Sequence, residues 1–156
     1  MAEKLKTKYR KVFKDNKSFF VYDDSGNQIF DEQFFKSDIL YKDLILRRDE
    51  LGYVEYDLLT KKKYRLDCQG IQIKHEVDKV IIWNNGLCGV FIYTVQRDLD
   101  SEMMGFQRVI PIKFNKIVFD YNLIFARYQD YDLFGKQVIY YNIYDECGNL
   151  ITQVIR

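Results

Sequence analysis

The chain has 156 residues, of which 47% are hydrophobic and 17% aromatic, with 13 Tyr, 12 Phe and a single Pro. That composition excludes a disordered or low-complexity chain. It favours pleated sheet over helix, and one domain of this length buries roughly two-thirds of its unfolded surface. The formal net charge is +1, but residues 1–17 hold seven Lys/Arg against Glu3 and Asp15, which leaves a mildly acidic body and disfavours nucleic acid as a partner.

The predicted elements follow in chain order. Residues 1–8 read as a frayed polar start. Tyr9–Phe13 alternates as a strand, Asp15-Asn16-Lys17 is turn chemistry, and Ser18–Asp23 is the next strand. After the Asp24-Ser25-Gly26-Asn27 turn, Gln28-Ile29-Phe30 returns as a strand, and Glu32–Ser37 is irregular. Ile39–Tyr41 and Leu44–Arg47 flank Lys42-Asp43 as a hairpin. Tyr53–Asp57, a turn at Thr60–Lys63, Tyr64–Leu66, Ile71–Lys74 and Val80–Trp83 follow, and Asn84-Asn85-Gly86 is a strong turn signal. Gly89–Thr94 precedes an inserted loop over 95–107, after which Arg108–Ile112, Ile117–Phe119 and Leu123–Tyr128 resume the strands. Gln137–Tyr144, a turn at 145–149 and Leu150–Ile155 complete the chain as a single all-β domain.

Within this succession a unit recurs about four times. Its openers are Phe20–Asp23, Tyr53–Asp57, Gly89–Tyr93 and Tyr141–Asp145, and the first three are followed by an apolar pair of strands. The segment Tyr9–Phe13 takes the place that Ile124–Tyr128 holds before the last unit. That offset predicts that the first and last segments complete one sheet. Repetition speaks to architecture rather than to activity.

Gly86-Leu87-Cys88-Gly89-Val90-Phe91 and Val109-Ile110-Pro111-Ile112-Lys113-Phe114-Asn115-Lys116-Ile117 together resemble a WG β-repeat. The family's pattern has Gly-x-Trp-Gly before a strand and an Ile-Pro run after it; Cys88 stands where the Trp would be. The likeness is concentrated in residues 86–125. It implies bacterial ancestry and an all-β fold of repeated antiparallel hairpins, WG-repeat-like or small propeller-like in arrangement, and it brings no enzymatic activity.

The groups that carry chemistry are sparse. Cys68, Cys88 and Cys147 are an odd, widely spaced set without CxxC, which reads as reduced thiols rather than a disulfide framework. His75 is the only histidine, with Glu76 beside it and Cys68 seven residues earlier, and it lacks the positioned partners of a general base or a zinc site. No phosphate-loop, dinucleotide, hydrolase-elbow or zincin motif occurs. The expectation is therefore a protein that is not an enzyme and needs no metal or cofactor. The N-terminus lacks a signal-peptide run and no stretch approaches the roughly 18 apolar residues of a membrane helix, so the expected location is the cytoplasm with no membrane partner.

Asp98, Asp100 and Glu102 alternate in the inserted loop without the ligand count of a calcium loop, and read as a solvated acidic contact surface for a basic partner. Asp130 and Asp132 are the second acidic candidates. Lys8–Lys14 mixes charge with rings, as single-strand binders do, but reads more simply as a lysine-protected edge strand. The function expected is binding another protein, in its narrowest form a bacterial immunity protein that blocks a cognate toxin such as a basic nuclease. The rival is a carbohydrate- or small-ligand-binding domain in which exposed Tyr and Trp83 stack on sugars.

Overall fold

The computed structural model describes residues 9–96 and 105–156, and it is all-β. Fifteen strands are present among the described residues: β1 (Tyr9–Phe13), β2 (Ser18–Asp23), β3 (Phe34–Phe35), β4 (Ile39–Tyr41), β5 (Leu44–Asp49), β6 (Gly52–Asp57), β7 (Lys62–Leu66) and β8 (Gly70–Lys74), then β9 (Lys79–Asn84), β10 (Leu87–Tyr93), β11 (Phe106–Phe114), β12 (Lys116–Asp120), β13 (Leu123–Tyr131), β14 (Gln137–Asp145) and β15 (Leu150–Ile155). They form four antiparallel meanders in sequence order, β1-β2-β3, β4-β5-β6-β7, β8-β9-β10-β11 and β12-β13-β14-β15. Repeated hairpins are thus the architecture. The four repeat openers fall in β2, β6, β10 and β14, the penultimate strand of each sheet, so the repeat read from sequence begins part-way through each meander.

The first and last strands among the described residues do not complete one sheet. Among the described residues β1 pairs with β2 and β15 with β14, in separate sheets. Two local expectations also shift. Gln28–Phe30 contributes a single bridge, Tyr22 to Gln28, while Phe34–Phe35 supplies the short third strand instead. Phe34 is fully buried there, so burial decides the pairing over local pattern.

The chain divides into two compact units, residues 1–67 with 95–105 and residues 68–94 with 106–156. In the first, Phe19, Val21, Phe30, Phe34, Ile45, Tyr56 and Leu58 form a buried cluster drawn from both of its sheets. Tyr56 meets Phe30 and Phe34 edge-on at 5.1 and 4.9 Å between centroids. The Arg47 guanidinium covers the Phe34 ring and binds Asp38 at 2.8 Å, an ion pair that raises the Arg47 pKa. Glu55 is fully buried and accepts the N–H of Gly105 at 3.0 Å.

In the second unit the core joins Ile81, Cys88, Val90, Ile110 and Phe114 of one sheet to Ile117, Ile124, Ala126 and Tyr144 of the other. Period-two alternation along β12 and β13 supplies Ile117, Ile124 and Ala126 from one face. Burial pushes the Cys88 thiol up to about 11, which leaves it an inert packing group. The register between β10 and β11 shifts on both sides of Val90. Here a Cβ on Gly89 would lie 2.5 Å from the carbonyl oxygen of Ile110, and Pro111 sits opposite on an edge strand, where its missing N–H costs no ladder bond.

Gly89→Ala must therefore displace the β11 backbone. We expect a loss of about 1–3 kcal/mol in denaturant unfolding, the usual cost of overpacking. Unchanged stability would show that the close approach is not a constraint.

Candidate interaction surface

Among the described residues, three turns of sequence Asp-x-x-Gly-x share one hydrogen-bonding design: Asp23–Asn27, Asp132–Lys136 and Asp145–Asn149. In each, the glycine has positive φ, its N–H donates to the Asp carbonyl at 3.0–3.1 Å, and the Asp N–H donates to the carbonyl of the fifth residue at 2.9 Å. The Asp carboxylate accepts the N–H groups of the third and fifth residues, all at 2.9 Å. An acceptor that replaces water for two backbone donors is the reason for Asp at the first position. These hydrogen bonds, led by the N–H of Asn27 and of Asn149, hold the Asp23 and Asp145 carboxyls below the usual carboxylate range.

The middle turn closes the hairpin of greatest reach. β13 and β14 pair over nine positions, from Leu123 with Asp145 to Tyr131 with Gln137. β12 stops opposite Arg127, and β15 stops opposite Tyr140. The tip from Asp130 to Val138 is therefore two-stranded, and such a ribbon is marginal without anchors. Its anchors are the stacked rings of Tyr128 and Tyr140, 5.0 Å apart and 13° from parallel, and the Gln137 amide donating to Gln129. At the base, the Gln153 amide donates to the Tyr128 hydroxyl at 2.8 Å and to Asn142 at 2.7 Å, and Asn142 donates to the Tyr144 hydroxyl. This network ties β13, β14 and β15 together.

Asp130 and Asp132 are brought together at this tip. Asp130 accepts the N–H of Tyr131, and Asp132 is engaged by its turn. Both are exposed. The unforeseen feature is apolar: Tyr131 is 68%, Leu133 101% and Phe134 93% exposed. The signal for it was available in the turn itself. The other two turns place Asp24-Ser25 and Glu146-Cys147 where this one places Leu133-Phe134.

Asp98, Asp100 and Glu102 lie outside the described residues. Cys68 is buried ahead of β8, and His75 is exposed on a 3-10 turn after it. The five-residue strand between them spans about 16 Å, so the two do not form a catalytic pair. Trp83 is half-buried and packs against the core cluster rather than standing free for a sugar. The basic stretch at β1 is an edge strand, with the Lys11 ammonium over the Phe19 ring. Glu76, Asp78 and Glu146 line a cleft of 350 Å³ together with Lys79 and Tyr121. No group of three His, Cys, Asp or Glu among the described residues is arranged to hold a metal ion, and no helix among them is long and apolar enough to cross a membrane.

Comparison with protein-family models, with curated proteins and with solved structures found no match.

The turn carboxyls predict an acid-sensitive fold. Because Asp23 and Asp145 have folded pKa values below their unfolded ones, they favour folding above the ordinary carboxylate range near pH 4. That contribution is lost as pH falls through the folded values. Asp49, held at about 2 chiefly by the Arg65 side chain, acts in the same sense. Thermal melts between pH 2 and 7 should fall in midpoint below about pH 4, and Asp23→Asn with Asp145→Asn should flatten that fall. An acid limb of unchanged steepness in the double variant would contradict the assignment.

Proposed function

We propose that this protein is a non-catalytic binding domain for another protein, with the β13–β14 tip as its leading contact. The observation that supports the reading is the exposure of Leu133 and Phe134 at the end of an anchored hairpin. These side chains contribute almost no buried area to the fold. On a partner, each gains about 1.5–3 kcal/mol when fully covered. Tyr131 adds a ring with few rotatable bonds, the type of residue that dominates binding hot spots.

Within this class the narrower reading is a bacterial immunity protein that acts in the cytoplasm and covers a cognate toxin. Its supports are small size, an odd and widely spaced set of three cysteines and the WG β-repeat likeness of residues 86–125. If the toxin is a basic nuclease, Asp130 and Asp132 flank the apolar tip as its charged rim, which acts mainly on association rate.

A photo-crosslinking residue placed at Tyr131 tests the reading in the native cell. It should capture one discrete protein, and Leu133→Ser with Phe134→Ser should weaken binding of that protein at least tenfold, about 1.4 kcal/mol or more. The circular dichroism should not change. Equal capture by the double variant, or no adduct at all, would remove the tip from function; an adduct with a polysaccharide would favour the carbohydrate rival.

A further inference from the structure

The outer face of the last sheet forms a second surface, independent of the hairpin tip. Alternation turns Ile117, Ile124, Ala126 and Tyr144 into the core, which leaves the residues between them facing outward. Cross-strand register arranges those outward residues in rows. One row is Lys116, Arg127, Tyr141 and Val154; the next is Val118, Phe125, Ile143 and Thr152. Arg156 pairs with Ile139 one row further out, and its guanidinium lies over the Tyr141 ring at 5.8 Å.

Two adjoining grooves of 340 and 320 Å³ cross these rows. Both are bounded by Phe125 and Tyr141; one reaches Lys116 and Arg127, the other Arg156. No Asp or Glu lines either groove. The acids of this face, Asp120 and Asp145, share the row of Leu123 at its far end, and Asp145 is occupied by its turn. Lys116, Arg127 and Arg156 take no part in the ion pairs Arg47–Asp38, Lys61–Asp23, Lys63–Glu32 and Arg65–Asp49.

Lys116 and Arg127 stand directly opposite one another, an arrangement of like charges that destabilises a sheet. An anion seated between them relieves that repulsion. The apolar floor specifies the rest of the ligand: Val118 and Val154 are 45% and 43% exposed beside the two rings. Rings with cations also suit single-stranded nucleic acid. Branched aliphatic side chains on the same rows instead match protein side chains, in the mixture of aromatic, Arg and aliphatic surface that marks a protein interface.

We propose that this face docks an acidic protein segment that carries apolar side chains, its carboxylates meeting Lys116, Arg127 and Arg156 and its apolar groups resting on Phe125 and Tyr141. The probe is a fluorescent decapeptide of alternating Glu and Val, compared with its Lys–Val counterpart and with a twelve-nucleotide oligothymidine. Anisotropy should show binding of the Glu–Val peptide alone, weakening with salt. Amide resonances of Val118, Phe125, Tyr141, Ile143 and Val154 should move in the titration. Lys116→Glu with Arg127→Glu should weaken binding roughly tenfold or more, and the milder Arg156→Gln, at an exposed strand end, by a smaller factor. Phe134→Ser should leave it unchanged, which separates this surface from the hairpin reading. Equal binding of the Lys–Val peptide, indifference to the charge reversals, or tighter binding of the oligonucleotide would each overturn the proposal.

Discussion

The nine-position register between β13 and β14 decides which side chains of the last sheet meet the core and which meet solvent. A slip of one residue would exchange the two faces, placing Arg127 and Tyr141 where Ala126 and Asn142 are buried. The register is fixed at both ends. Asp132 closes the hairpin, Asp145 closes the turn into β15, and the glycine of that second turn leaves no room for a Cβ, which would meet the Val109 carbonyl at 2.5 Å. Between the two turns, the stacked Tyr128 and Tyr140 and the Gln153–Asn142 hydrogen bonds hold the same alignment from the core side. Both the exposed tip and the outward rows are consequences of this one alignment.

Most strands were legible because each carries period-two alternation bounded by turn residues. β2, β4 and β15 match their expected bounds, and Asn85 and Gly86 take the positive φ values that their turn signal implies. The mismatches have local causes. The strand read as ending at Tyr128 continues to Tyr131, since Gln129, Asp130 and Tyr131 pair by backbone while their side chains stay in solvent. The residues left between Ile71–Lys74 and Val80–Trp83 form a 3-10 turn over His75–Val77 that ends at Asp78 in the left-handed region. Alternation predicts pairing where a face is buried, and says little where both faces are wet.

The candidate site was less legible than the fold. Asp130 and Asp132 were identifiable as charges, but Asp132 serves its turn, and the apolar pair between it and Gly135 reads locally as core. Lys116, Arg127 and Arg156 are scattered over forty residues of sequence and become neighbours only through cross-strand pairing. A mildly acidic body thus presents a basic, ring-bearing face, because net charge is silent about which side of a sheet its charges occupy. The tip and the face differ in chemistry, the first apolar with an acidic rim and the second apolar with cations. The last sheet therefore offers two unlike surfaces on one rigid register.

Hydrogen–deuterium exchange of the protein alone and bound to its native partner tests the central claim, that recognition belongs to the last sheet. The account predicts slowed exchange at Gln129–Ile139, with the amides of the N-terminal unit unaffected. Protection confined to β1–β7, with the β13–β14 tip exchanging as fast as in the free protein, would contradict it.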